Sequence, residues 1–131
     1  MLDLYAGTGA VGFEAVSRGA AFAALVDAAG EPLRRTAARL GAAPEQIEIL
    51  DASADAALDL LARRGDRFDL VFADPPYGED PDLRRASALL AGGGTLVLQR
   101  DAGAGPGKAP GLTLLERRAY GRNVFFFFGM R

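Results

Sequence analysis

The sequence predicts an α/β fold with a mostly parallel sheet and helices on both faces, and three observations carry that reading. Short apolar runs alternate with helical segments along most of the chain, the pattern of βαβ units. A glycine-rich turn, Gly7-Thr8-Gly9, follows the first run and precedes a helical stretch. Near the end the character changes: two stretches, Leu112 to Arg118 and Asn123 to Met130, flank Ala119-Tyr120-Gly121-Arg122 and read as a terminal antiparallel hairpin.

Taken in order, Met1 to Ala6 is an apolar run broken by Asp3, and it reads as a strand entering the glycine turn. Ala10 to Gly19 carries Val11, Ala15 and Val16 at helical spacing and stops at a glycine. Phe22 to Val26 is continuously apolar and ends at Asp27, as a strand buried on both faces would be. Glu31 to Leu40 is helical, with Pro32 in its first turn and Gly41 at its end. The alternation repeats with Gln46 to Leu50 as strand, Ser53 to Arg64 as a helix capped by Ser53, and Phe68 to Ala73 as strand. A helix from Pro81 to Leu90 and a strand from Thr95 to Gln99, behind the Gly92-Gly93-Gly94 turn, complete the parallel part. Asp101 to Gly111 is a Gly/Pro/Ala loop.

The 131 residues include no Cys, no His and no Trp. Disulfides, thiolate nucleophiles, imidazole bases and His- or Cys-type metal sites are thereby excluded, and no metal is expected. Any chemistry must rest on carboxylates, hydroxyls, backbone dipoles or a borrowed cofactor. The length suits one domain over residues 1–131, and the hydrophobic half of the composition suits a globular chain. The apolar run Ala20 to Val26 is far short of the ~18 residues of a membrane span, and Asp3 interrupts the N-terminus. A soluble cytoplasmic protein with no membrane partner is the expectation. The net charge of −2 hides a division: seven Arg/Lys against fifteen Asp/Glu up to Leu83, a net of −8, and eight against two from Arg84 on, a net of +6. Such asymmetry suits a surface that meets an anion on one side only.

Gly7-Thr8-Gly9-Ala10-Val11-Gly12 fits the G-x-G-x-x-G pattern, which serves several nucleotide cofactors alike. Its glycines let the backbone approach a ligand, and the following helix offers free N–H groups. Asp27 closes the second strand twenty residues after Gly7, where a carboxylate accepts from ribose hydroxyls. That position suits a nicotinamide enzyme equally well. Asp3 discriminates, because an unpaired carboxylate inside an apolar strand costs several kcal/mol. A cofactor with a cationic amino-acid tail, such as S-adenosyl-L-methionine, gives it a purpose, directly or through the loop N–H groups; the plainer alternative is a frayed, solvated chain start. Asp51, with Ala52, sits at the end of the third strand where an adenine amino group could be met, or where an acid merely favours the next helix.

Asp74-Pro75-Pro76-Tyr77 leaves the fourth strand at the same sheet edge. Two prolines fix φ and remove two donors, leaving stiff outward carbonyls. An acid, rigid carbonyls and an aromatic ring together form a cradle for a planar amine drawn out of its stack. Acceptors on both amine hydrogens would localise its lone pair toward a methyl group, so methyl transfer requires no histidine. A Pro-Pro loop that only ends a strand is the alternative.

Leu2 to Ala20, Phe68 to Tyr77 and Glu116 to Asn123 together resemble the RsmD family of class I, S-adenosylmethionine-dependent methyltransferases, which modify a guanine N2 amine in small-subunit (16S) ribosomal RNA. The resemblance implies a Rossmann-like, seven-stranded sheet with a reversed last strand. It implies that Asp3, Tyr5, Ala6, Gly7, Thr8 and Gly9 lie at the methionine end of the cofactor, Asp27 and Ala28 at the ribose, and Asp51 and Ala52 at the adenine. Asp74, Pro75, Pro76 and Tyr77 would hold the guanine, with Asp74 also at the cofactor, and Arg84, Arg85, Arg117, Arg118 and Arg122 would meet RNA phosphates. Ribosomal RNA or the 30S particle is the implied partner, with the protein a monomer. Family members carry a further N-terminal segment, whereas this chain begins inside the first strand, so a chain short of that arm is expected. The Asp-Pro-Pro-Tyr motif also occurs in adenine-N6 methyltransferases, and a catalytically idle cofactor- or RNA-binding domain and a nicotinamide oxidoreductase are the remaining readings.

Overall fold

The structure, a computed structural model, describes residues 1–130. Its elements run β1 (Leu2–Asp3), α1 (Ala10–Ser17), β2 (Ala23–Asp27), α2 (Glu31–Leu40), β3 (Ile47–Asp51), α3 (Ala54–Arg64), β4 (Phe68–Ala73), α4 (Leu83–Ser87), β5 (Leu90–Asp101), β6 (Leu112–Tyr120) and β7 (Asn123–Met130). One seven-stranded sheet has the order β3-β2-β1-β4-β5-β7-β6. β1 to β5 are parallel, and β7 inserts antiparallel between β5 and β6. The strand order reverses direction between β1 and β4, and the loops at the carboxyl ends of strands flanking such a switch point form a ligand crevice.

α2 and α3 stop at glycines in the left-handed region, Gly41 and Gly65. At Gly41 a φ of 64° turns the chain so that the Ala42 N–H returns to the Ala37 carbonyl at 3.0 Å. Ser53 caps α3 by accepting from the Ala56 N–H at 3.2 Å, and Asp82 caps α4 through the Arg85 N–H at 3.0 Å. Two apolar clusters lie on opposite faces of the sheet. α3 and α4 bury Leu58, Leu61, Leu83 and Ala86 against Leu2, Leu4, Val71, Leu96, Leu98 and Phe126. Phe13 of α1 and Leu33 of α2 pack with Leu25 and Ile47 on the other face. Gly12 brings α1 onto β2 so closely that a Cβ there would run into the Leu25 side chain.

The stretch after β4 departs from the expected layout. The Pro81 to Leu90 helix shrinks to the five residues of α4, and the strand begins at Leu90, well before Thr95. Pairing explains the change: the Phe68 N–H donates to the Leu89 carbonyl at 2.7 Å, so the sheet captures the chain ahead of the glycines. Phe68 then pairs with Leu90 while Leu70 pairs with Thr95, and the residues between, Ala91 to Gly94, bulge out of register. The hairpin is also tighter than Ala119 to Arg122 suggested. β6 continues to Tyr120, and Gly121 and Arg122 alone make the turn.

Candidate active site

The loop after β1 is held by backbone and by one side chain. The Ala6 N–H donates to the Val26 carbonyl at 2.8 Å, and the Gly9 N–H donates back to the Ala6 carbonyl at 2.8 Å, closing a tight turn that needs φ of 61° at Gly7 and 87° at Gly9. Asp27 staples this loop to the next: its Oδ2 accepts from the Gly7 N–H at 2.8 Å and its Oδ1 from the Ala29 N–H at 2.9 Å. Both oxygens keep a further lone pair for a ligand. Asp51 likewise accepts two bonds, from the Gly30 N–H at 3.2 Å and from Arg34 Nη1 at 3.0 Å, the second an ion pair. A Cβ at residue 30 would lie 2.7 Å from the Asp51 carboxyl carbon, which gives Gly30 its role.

Asp3 is 1% exposed and turned away from the face that holds Leu2 and Leu4. Its recorded hydrogen bond is one acceptance from the Tyr5 N–H at 3.2 Å. Burial pushes its carboxyl up to about 7, helped by the negative charges of Asp74 and Asp27 and opposed by the Tyr5 N–H. Tyr5 is half-buried, and burial together with the neighbouring Glu79 holds its phenol well above the usual range. Asp74 is raised too, by desolvation first and the Asp101 charge second.

Two cavities open at this sheet edge and share a wall. One, of about 450 Å³, is lined by Leu4, Tyr5, Gly7, Asp27, Ala28, Ala52, Ser53 and Ala54 on one side and by Asp74, Pro75, Pro76 and Glu79 on the other. Its volume falls in the range of small-molecule sites. The second, of about 490 Å³, is lined by Asp74 to Glu79, by Gln99, Arg100 and Asp101 at the end of β5, and by Ala104. The ring of Tyr77 projects there with 95% of its surface exposed. The common wall is made of Asp74, Pro75, Pro76 and Glu79.

Of the residues singled out in the sequence, Tyr5, Gly7, Asp27, Ala28, Ala52 and Asp74 are thus brought around one cavity, and Asp74 to Tyr77 around the other. Asp3, Ala6, Gly9 and Asp51 stand behind the first cavity without lining it, and Thr8 faces a separate groove between α1 and α2. Among the arginines, Arg84, Arg117 and Arg122 are exposed and carry no ion pair among the described residues. Arg85 is committed to Asp55 and Asp59 of α3, and Arg118 to Glu116 while lying 5.7 Å from the Phe127 ring centre. Sequence reasoning missed Ser53, Glu79, Gln99, Arg100 and Asp101 as site residues. The available signal was positional: β5 lies beside β4 in a parallel sheet, so its last residues share the crevice.

The sheet order, the glycine loop under the first cavity and the Asp74 to Tyr77 segment beside it define a Rossmann-like domain of the class I methyltransferase fold. The N-methyltransferase NodS from Bradyrhizobium japonicum superposes with a TM-score of 0.72 over 97% of this chain and 83% of that one, at 20% identity, a likeness of fold alone. The chain belongs to the family described as conserved hypothetical protein 95, the RsmD family, which matches residues 1–129. Ribosomal RNA small subunit methyltransferase D of Haemophilus influenzae is 37% identical over 81 residues, covering 58% of this chain and 40% of that protein. The match therefore spans well under half the length of this curated relative. A conserved hypothetical protein of Streptococcus pyogenes has a solved structure with a TM-score of 0.81 at 30% identity, covering 97% of this chain and 82% of its own.

Proposed function

We propose that the chain transfers a methyl group from S-adenosyl-L-methionine to the N2 amine of a guanine in 16S ribosomal RNA, as a cytoplasmic monomer acting on RNA or the 30S particle. The observation that carries the reading is the shared wall: two acids, Asp74 and Glu79, and two prolines stand between a nucleotide-sized cavity and a cavity open to a large target. The name of the Haemophilus influenzae relative supports it.

The first cavity suits the cofactor on its own evidence. Asp27 keeps acceptors for ribose hydroxyls, and a buried acid, Asp3, lies beneath the loop without a cation of its own. When bound, S-adenosylmethionine supplies the methyl as a cation equivalent on sulfur and leaves as the neutral thioether. At the wall, the Asp74 carboxylate and the Pro75 carbonyl accept the two amine hydrogens, which directs the nitrogen lone pair toward the first cavity. Tyr77 stacks on the base in the second cavity. As the N–C bond forms, the amine becomes cationic beside Asp74, where the carboxylate stabilises it until a proton passes to Asp74 or to water.

Labelled S-adenosylmethionine incubated with undermethylated 30S particles, naked ribosomal RNA or duplex DNA tests the reading. Label recovered as a methylated guanine in RNA is expected; label in DNA alone, in adenine, or nowhere would overturn it. Asp74→Ala is expected to lower transfer about 100-fold or more while S-adenosylhomocysteine binds as before. Full activity in that variant would remove Asp74 from the mechanism.

A further inference from the structure

The second cavity has polar groups that the amine chemistry does not use. Asp101 ends β5, exposed, on the strand next to the one that delivers Asp74, and both line the same space. In the parallel ladder Ala73 is opposite Leu98, so Asp74 falls beside Gln99 and Asp101 lies farther out along the same edge. The one basic side chain of that lining, Arg100, is held by Asp80 at 3.0 Å. Besides Glu79, which neighbours Tyr5, the opening therefore presents two carboxylates from adjacent strand ends, Asp74 and Asp101, each able only to accept, with the Gln99 amide near them.

We propose that Asp101 selects guanine by accepting the N1–H of the base while Asp74 accepts from its N2 amine. The inference rests on the amine-methylation reading and adds the residue that chooses the base. The Watson–Crick edge of guanine carries two neighbouring donors, N1–H and N2–H₂, followed by the O6 acceptor. Two carboxylates match the two donors. Adenine and cytosine each offer an amine beside a ring-nitrogen acceptor, which would set a lone pair against the Asp101 carboxylate. An unpaired polar contact of this kind rejects a ligand far more strongly than a missing methyl does. Proximity of the two acids is consistent with the upward push that Asp101 exerts on Asp74.

The test uses two ribonucleosides as inhibitors of labelled methyl transfer to undermethylated 30S particles. Guanosine has the N1–H donor, whereas 2-aminopurine riboside keeps the 2-amine but has an N1 acceptor. The wild-type protein is expected to bind guanosine about 10-fold or more tightly than 2-aminopurine riboside. Asp101→Asn, whose amide can donate to an N1 acceptor, is expected to narrow or invert that ratio. Asp101→Ala is expected to weaken guanosine without improving 2-aminopurine riboside. Unchanged S-adenosylhomocysteine affinity establishes that each variant is folded. If transfer to RNA guanine occurs and the guanosine to 2-aminopurine ratio is the same in Asp101→Asn as in wild type, Asp101 has no selecting role and the methylation reading survives. If wild type labels no guanine at all, the methylation reading itself falls and takes this inference with it.

Discussion

Asp3 is the one charged side chain buried among the described residues, and its proton is the clearest handle on the apo protein. An unfolded carboxyl titrates near 3.8, and the folded one near 7. Because the folded value is the higher, the favourable contribution is complete below about pH 4 and is lost as pH rises through 7. Asp3→Asn keeps an oxygen for the Tyr5 N–H and carries no charge. It is expected to flatten the decline and to raise stability at pH 8 by about 2–4 kcal/mol. Urea unfolding of both proteins from pH 4.5 to 8 measures this, and parallel slopes would contradict it. With a cationic ligand group above the loop the same acid gains a partner, so cofactor affinity is expected to rise with pH over the window in which stability falls.

At the scale of the elements, α1 depends on the absence of a side chain at residue 12. Gly12→Ala keeps an ordinary helical residue but drives its Cβ into Leu25, which is fully buried in β2. The expected cost is about 1–3 kcal/mol, read as a lower thermal midpoint. Gly92→Ala, in the bulge of β5 with open space around it, is expected to leave the midpoint within a degree or two of wild type. Several elements were fully legible in the sequence. Glu31 to Leu40 and Phe68 to Ala73 coincide with α2 and β4 because a proline, a glycine stop or an apolar run broken only by Asp69 marks them locally. The Pro81 to Leu90 helix was not, because its length is decided by Phe68, a partner with no sequence marker near residue 89. The site divides in the same way. Asp74 to Tyr77 announce themselves as a motif, whereas the engagement of Asp51 with Arg34 and the arrival of Asp101 in the crevice depend on strands meeting in space.

For the whole molecule, the division of charge along the chain becomes a division across the sheet. β3, β2, β1 and β4 come from the acidic part, and β5, β7 and β6 from the basic part. The Asp74 to Tyr77 segment leaves β4 at the seam between the two. Arg117 and Arg122, exposed on the hairpin, carry no ion pair among the described residues and are the cations expected to meet phosphates, while Arg85 and Arg118 already have partners. Arg117→Gln combined with Arg122→Gln is expected to reduce the slope of log affinity for 16S RNA against log salt by about 2, with S-adenosylhomocysteine binding unchanged. Filter binding across a salt series measures the slope, and an unaltered slope would remove the hairpin from the RNA surface.

The wall of Asp74, Pro75, Pro76 and Glu79 separates two openings as well as joining them. Apart from that wall the two share no lining residue, so on the proposed reading neither substrate has to pass through the space of the other. Such an arrangement imposes no obligatory loading sequence. On that reading spent cofactor is expected to exchange while the nucleic acid stays engaged, and to compete with fresh cofactor alone.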